Sequence, residues 1–212
     1  MNDFSAVLLA AGASRRMQGR DKLTLPLGGE PLVRRTARTL LTAGVDELVA
    51  VVAADREDVR ELLMSWGGKP GDGRLRVVSN PEPEEGQMRS VTVGLAALEH
   101  PAEGILVALA DQPLLTAADI RALMAAFRNR ERGEVVVPTF DGQRGNPIVL
   151  AAAYREAVLA GGPNLGCRHF MERHPELVEA VPMASDHFVE DLDTPEDLER
   201  ISLRLEGVSE QP

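Results

Sequence analysis

Ala6-Val7-Leu8-Leu9-Ala10-Ala11-Gly12-Ala13-Ser14-Arg15-Arg16-Met17-Gln18-Gly19-Arg20-Asp21-Lys22 is the stretch on which the reading of this chain turns. The apolar run Ala6 to Ala10 has no polar alternation and ends at Gly12, the pattern of a short strand buried on both faces. Directly after it, four bases (Arg15, Arg16, Arg20 and Lys22) gather within eight positions. Small residues let backbone N–H groups approach a ligand, and the bases neutralise it, so strand and loop together describe a cradle for a polyphosphate. The spacing is not that of a Walker A loop, because Met17 stands five residues after Gly12 and no Gly-Lys-Ser/Thr follows. Nor is it the dinucleotide Gly-x-Gly-x-x-Gly fingerprint, since Ser14 takes the place of the second glycine. Taken alone, such a loop also fits a solvated surface segment kept in water by its arginines.

Beyond the loop, strands and helices alternate. Pro31 opens a helical segment with Leu32, Val33, Leu40 and Leu41 on one face, Gly44 closes it, and Glu47 to Val52 reads as the next strand. The order repeats with a helix over Asp55 to Trp66, a strand at Leu75 to Val78 and a helix from Met88 to Leu98. A strand at Gly104 to Ala108 and a helix from Ala117 to Arg130 follow. This is an α/β pattern, and it predicts a Rossmann-like, three-layer, mainly parallel sheet with right-handed crossovers. Glu134 to Val137 and Pro147 to Leu150 flank the turn Asp141 to Gly145, which predicts an antiparallel element in the C-terminal third. A short strand at Val178 to Val181 and a helix beginning at Pro195 complete a single domain over residues 1–204. Residues 205–212 read as a flexible tail.

The composition narrows the function. The chain has 212 residues, 44% of them hydrophobic, and 33 acids against 23 bases give a formal net charge of −10. Such a balance opposes general binding to nucleic acid or anionic membranes, which depends on a positive field. Any phosphate site is therefore local. Lys22 and Lys69 are the only lysines beside 21 arginines. One cysteine, Cys167, excludes an internal disulfide framework, and His100, His169, His174 and His187 lack zinc-ligand spacing. A reducing, cytoplasmic setting is the expectation. No apolar run reaches the ~18 residues of a spanning helix, and Ser5 to Ala11 lacks the length and basic flank of a signal peptide.

The run Leu9 to Leu32, with its Leu-Ala-Ala-Gly-x-Ser-x-Arg-Met and Lys-Leu-x-Leu-Pro-Leu-Gly-Gly-x-Pro-Leu segments, resembles the signature of the nucleotidyltransferases that attach a nucleoside monophosphate to molybdopterin. It is most similar to the molybdenum cofactor cytidylyltransferase branch. Three later stretches extend the resemblance: Glu85 to Val91, Ala110-Asp111-Gln112-Pro113 and Gly142 to Ile148. A fourth is Asp191-Leu192-Asp193-Thr194-Pro195-Glu196-Asp197. Together they cover residues ~5 to ~200 in a fixed order, far more specific than one glycine loop.

The resemblance implies transfer of CMP from CTP to molybdopterin cofactor, with release of pyrophosphate and with Mg²⁺ held by Asp111 and Asp193. Asp111 follows a strand and is not needed to cap the next helix, where Thr116 to Asp119 already forms a capping box. In an open α/β sheet, the loops after neighbouring strands meet at a switch point, where Gly12 and Asp111 are expected to converge. Asp193 precedes a helix cap and matches the late family carboxylate better than Asp191. Lys22, with Arg16 beside it, is the expected phosphate cation, because a compact ammonium can follow a charge as it moves to the leaving oxygen. Leu9, Ala10, Ala11 and Gly12 are expected along the nucleotide. Gly86 and Ser90, with Gln87, are expected at a helix start facing nucleotide or substrate phosphate.

Ala-Ala-Gly is typical of the cytidylyl branch and Ala-Gly-Gly of the guanylyl branch, so Ala11 favours CTP. Gly145-Asn146-Pro147 resembles the substrate-side motif, though the family usually has His at position 146, which bears on the acceptor. Gln18 likewise replaces a frequent glycine. Transient contact with a client molybdoenzyme is implied as well. An acceptor phosphate monoester is largely ionised at neutral pH, its second pKa being ~6, so alignment and charge neutralisation replace a general base. Three alternatives stand beside this reading: a GTP-using guanylyltransferase, another small-phosphate nucleotidyltransferase, and a non-catalytic accessory protein that delivers cofactor to a molybdoenzyme. For His169, His187 and Cys167 no partner can be argued from sequence.

Overall fold

All seven residues of β1 (Phe4–Ala10) are buried, as its unbroken apolar run requires. The computed structural model describes residues 4–14, 16–65, 74–131, 133–161 and 166–209. From β1 the chain passes through a small antiparallel ladder, β2 (Pro26–Leu27) and β3 (Glu30–Pro31), into α1 (Leu32–Ala43) and β4 (Glu47–Ala53). Pro31 caps α1, and Gly44 ends it in the left-handed region at φ 100°, donating its N–H to Leu41 O. Next come α2 (Glu57–Met64), β5 (Arg74–Asn80), α3 (Gln87–Ala97), β6 (Gly104–Leu109) and α4 (Ala117–Arg128). The last third holds β7 (Val135–Phe140), β8 (Gln143–Arg144), β9 (Ile148–Ala151), α5 (Arg155–Ala160), α6 (Gly166–Arg173), β10 (Val178–Pro182) and α7 (Pro195–Ser209).

The main sheet runs in the order β10-β7-β9-β6-β1-β4-β5, with β8 paired to β7. β1 lies between β4 and β6 and is parallel to both, Val7 standing opposite Val49 on one side and Val107 on the other. β9 runs antiparallel to β6 and to β7, which is the predicted antiparallel element. Side chains alternate between two apolar layers. Ala6, Leu8 and Ala10 pack with α1, α2 and α4, through residues such as Leu40, Val59 and Phe127. Val7 and Leu9 pack with α3, α5 and α6, through Leu95, Val158 and Phe170. Successive strands step from β1 to β4 to β5 and then return to β6 on the far side of β1. The crevice beyond the carboxyl ends of β1 and β6 is therefore a switch point.

A third, smaller core sits at that crevice. Met17, Leu27, Leu32, Leu114, Leu192 and Ile201 form it, with Met17, Leu32, Leu192 and Ile201 fully buried. It fastens the glycine loop to the loop after β6 and to α7.

Several expectations shift. The helix expected over Asp55 to Trp66 is shorter, and Trp66, like Lys69 and Arg15, lies outside the described residues. α7 continues to Ser209, so residues 205–209 are helical where a tail was expected, because the amphipathic pattern carries through Leu205, which packs on the third core. Residues 210–212 lie outside the described residues. The β2–β3 ladder, α5 and α6 were not foreseen, since each is too short for a clear period.

Two tests address the fold. A Cβ at Gly94 on α3 would run into the Val7 side chain and press on Val51 of the sheet beneath. Gly94→Ala should therefore destabilise the protein by about 1–3 kcal/mol in denaturant unfolding. The capping box of α4 forms as predicted from Thr116 and Asp119. Burial of Asp119 pushes its pKa up, but His187, the Thr116 hydroxyl and the Thr116 backbone outweigh it and bring the carboxyl down to about 2. A lowered acid pKa stabilises above the unfolded value near ~4 and is lost as pH falls through the folded one. Thermal unfolding should show this acid dependence between pH ~4 and ~2, and in Asp119→Asn that part of the dependence should vanish.

Candidate functional site

The ammonium of Lys22 lies between two carboxylates that come from the far side of the sequence. Its Nζ is 2.6 Å from Asp111 Oδ2 and 2.9 Å from Asp193 Oδ1. Arg16 Nη2 reaches the other oxygen of Asp193 at 2.7 Å. The Lys22 side chain is only 10% exposed. Burial pulls its pKa down, yet Asp111 and then Asp193 more than offset this and hold it above its ordinary value, so it stays charged. Arg16 is 69% exposed, so its pair with Asp193 adds little stability of its own.

Backbone bonds place these groups. Ala110 N–H donates to Leu9 O at 3.1 Å, joining the ends of β1 and β6, and Leu192 N–H donates to Asp111 O at 2.8 Å. Thr194 and Asp197 form the cap of α7: Asp197 Oδ2 accepts from the N–H groups of Asp193 and Thr194, and Asp197 N–H donates to Thr194 Oγ1. Asp193 is thus free of capping duty and turns its carboxylate to Lys22 and Arg16.

The expected site residues therefore divide into groups. Arg16, Lys22, Asp111 and Asp193 are in direct contact. Leu9 and Ala10 belong to β1, with side chains buried in the core, while Ala11 and Gly12 stand at its exit. A Cβ added at Gly12 would meet no described atom within 4 Å. The described residues thus leave that space open. Gly86, at φ 94°, begins α3. Ser90 is buried, and its Oγ accepts from Asn80 Nδ2 at 3.0 Å, which locks the end of β5 to the first turn of α3. At the turn Gly145-Asn146-Pro147, which contains a cis peptide before Pro147, Asn146 N–H donates to Phe188 O at 2.9 Å. Gln112 Nε2 donates to that same carbonyl at 2.8 Å. Since Ile148 pairs with Val107 of β6, the turn reaches the same edge of the sheet as Asp111.

Sequence reasoning missed several partners. Asp191, passed over in favour of Asp193, lies in the same cluster. Burial first, then the charges of Asp111 and Asp193, push its carboxyl up to about 6 against the pull of Gln112 and Lys22. His187, for which no partner was argued, sits with Nδ1 2.8 Å from Asp119 Oδ2. Cys167 is a core residue whose thiol is pushed up to about 12 by burial. No local signal announced these contacts, because each joins segments far apart in the chain.

The acidic pair suits a hard divalent cation. Among the described residues Asp111 Oδ1 is buried without a hydrogen-bond partner, and Asp111 Oδ2 and Asp193 Oδ1 share one ammonium. Among the described residues no set of three or more His, Cys, Asp or Glu forms a ready cage. A pair of carboxylates is nonetheless the donor set that Mg²⁺ takes when phosphates complete its shell. Among the described residues, no helix is long and apolar enough to cross a membrane.

Comparison with known proteins places the chain in a family. Residues 6–178 match the MobA-like NTP transferase domain. The chain is 32% identical over 204 residues to a nicotine blue oxidoreductase of Paenarthrobacter nicotinovorans, covering 93% of this chain and 95% of that one. It is 30% identical to a probable molybdenum cofactor guanylyltransferase of Natronomonas pharaonis, covering 97% of this chain and 100% of that one. A nucleotidyl transferase of Methanothermobacter thermautotroptrophicus shares the fold, with a TM-score of 0.78 at 24% identity over 98% of this chain and 100% of that one. So does Rv0371C of Mycobacterium tuberculosis, solved as a complex with manganese, at TM-score 0.67 and 24% identity over 95% and 99% of the two chains.

The open space at Gly12 gives a clean test. Gly12→Ala should keep the unfolding temperature of the unchanged protein and weaken nucleoside triphosphate binding about tenfold or more by calorimetry; equal affinity would remove Gly12 from the cradle.

Proposed function

The chain belongs to the MobA-like NTP transferase family, and we propose that this nucleotidyltransferase moves CMP from CTP to the phosphate of molybdenum cofactor, releasing pyrophosphate. The observation that carries the reading is the Lys22 ammonium held between Asp111 and Asp193 at the switch point of the sheet.

In this reading the triphosphate lies along Ala11, Gly12 and the basic loop, with the start of α3 at Gly86 and Gln87 offering further N–H groups. Lys22 carries its charge on a flexible stem fixed at the backbone, so the ammonium can leave the carboxylates for the phosphate oxygens. Asp111 and Asp193 would then hold a divalent cation, Mg²⁺ being the expected one. When bound, that cation supplies charge neutralisation for the phosphates. The turn Gly145-Asn146-Pro147, tied through Phe188 to Gln112, orients the acceptor. An oxygen of the acceptor phosphate attacks the α-phosphorus, the bond from that phosphorus to the bridging oxygen breaks, and pyrophosphate leaves with the electron pair. Lys22 and Arg16 neutralise the departing charge. Ala11 supports CTP, whereas the relative from Natronomonas pharaonis is named a guanylyltransferase, which makes GTP the informative competitor.

The test is pyrophosphate release with CTP, GTP, ATP and UTP, each with Mg²⁺ and with or without molybdenum cofactor. Turnover with CTP alone, and only with the pterin, is the expected result. Turnover with GTP would move the chain to the guanylyl branch, and binding without release would favour a cofactor-delivering accessory protein. A nicotinamide dinucleotide arm belongs beside these because one relative is named an oxidoreductase; its consumption in place of triphosphate turnover would overturn the reading. Asp111→Ala should abolish turnover. Lys22→Arg should lower kcat by ~10- to 100-fold, since a planar guanidinium cannot replace the compact ammonium.

A further inference from the structure

Serine in a basic glycine loop invites assignment as a phosphate contact, but here the Ser14 hydroxyl is engaged within the protein. Its Oγ donates to Asp21 Oδ1 at 2.8 Å and accepts the Lys22 N–H at 3.1 Å. Leu23 N–H donates to the same Asp21 oxygen at 3.1 Å, and Thr24 Oγ1 donates to Asp21 O at 3.1 Å. The Asp21 carboxylate therefore joins Ser14 to Leu23, nine residues apart, while Ser14 Oγ holds the backbone N–H of the lysine between them. The other oxygen of Asp21 pairs with the guanidinium of Arg56. Arg56 stands three residues after the end of β4, its N–H donating to Ala53 O at 3.1 Å, and its guanidinium also holds Asp58 at 2.9 Å. Asp21 and Arg56 side chains are each only 23% exposed, which shields the pair from solvent screening.

The loop has a second anchor in Met17, buried in the third core. Between the anchors, Gln18 and Gly19 take left-handed backbone at φ 52° and 83°, and a Cβ at Gly12 or Gly19 would meet no described atom within 4 Å. The span facing the proposed phosphates is thus open, and its shape is set from its ends. We propose that Asp21, clamped by Arg56, is a positioning residue that sets the loop and the backbone of Lys22 for the nucleotide. The inference rests on the nucleotide reading above. Both carboxylate oxygens of Asp21 are engaged within the protein, by Ser14, Leu23 and Arg56. Asp21 acts through Ser14 and Lys22, and Arg56 ties that arrangement to the rigid end of β4. Because Arg56 keeps Asp58 as a partner, neutralising Asp21 does not release a new free cation beside the phosphates.

The experiment uses the full chain and the variants Asp21→Asn, Arg56→Gln and their combination. Asparagine keeps an acceptor oxygen for Ser14 and Leu23 and removes the charge that Arg56 holds. Affinities for CTP and GTP by calorimetry, KM for nucleotide and for acceptor, and unfolding temperatures are measured together. Each single variant should weaken nucleotide binding about fivefold to tenfold, the scale of one lost charge-assisted hydrogen bond, with the acceptor KM unchanged. The double variant should be no worse than the weaker single, since both remove the same link. A fall in unfolding temperature with unchanged nucleotide constants would make the pair merely structural and overturn the proposal, as would additive losses or equal changes in both KM values. If the unchanged protein binds no triphosphate, the nucleotide reading falls together with the clamp. If it binds and the variants bind equally well, the clamp alone falls.

Discussion

The burial of Met17, Leu114 and Leu192 in one small apolar cluster is the contact on which the site depends. These side chains stand in the glycine loop, in the loop after β6 and beside Asp193. Fully burying a residue of this size contributes about 1.5–3 kcal/mol relative to exposure. That burial opposes the cost of burying Asp191 and bringing it close to Asp111 and Asp193, which together push its carboxyl up to about 6. Lys22 relieves part of the repulsion. Apolar contacts thus hold the charged groups close without using the charges themselves as the adhesive.

Position in the sheet does the rest. β1 is the strand at which the order reverses, so the loops after β1 and β6 open into one crevice, and the turn before β9 enters it because β9 runs antiparallel to β6. The carbonyl of Phe188 accepts from Gln112 on one side and Asn146 on the other. The proposed acceptor turn is thereby linked through Phe188 to Gln112, the chain neighbour of the proposed cation ligand Asp111. The formal charge of −10 leaves the rest of the surface unattractive to polyanions, which sharpens the selectivity of the single basic loop.

Legibility followed the range of the physical signal. β1, α1 with its Gly44 cap and the Thr116–Asp119 capping box are written in consecutive residues, and each formed as read. Residues 205–209 continue α7 where a tail was expected, because the role of Leu205 shows only once the third core is assembled beneath it. Lys22, Asp111 and Asp193 were singled out through ordered motifs that resemble a family, and the geometry brings them into contact. Asp21 and Arg56 lie 35 residues apart and Asp119 and His187 lie 68 apart. No local pattern links such pairs, since a charged surface residue looks the same whether its partner is water or another loop.

What the sequence by itself determined is the alternation of buried strands and amphipathic helices, the basic loop after β1 and the caps, because these follow from periodicity and from the backbone freedom of single residues. What the tertiary structure decided is which charges meet. It set Lys22 between Asp111 and Asp193, drew Asp191 into the same cluster, and occupied the Ser14 hydroxyl with Asp21 instead of leaving it open. The reason is that pairing energies depend on distance and burial, and both are set by the packing of the sheet and the third core, which no short stretch of chain contains.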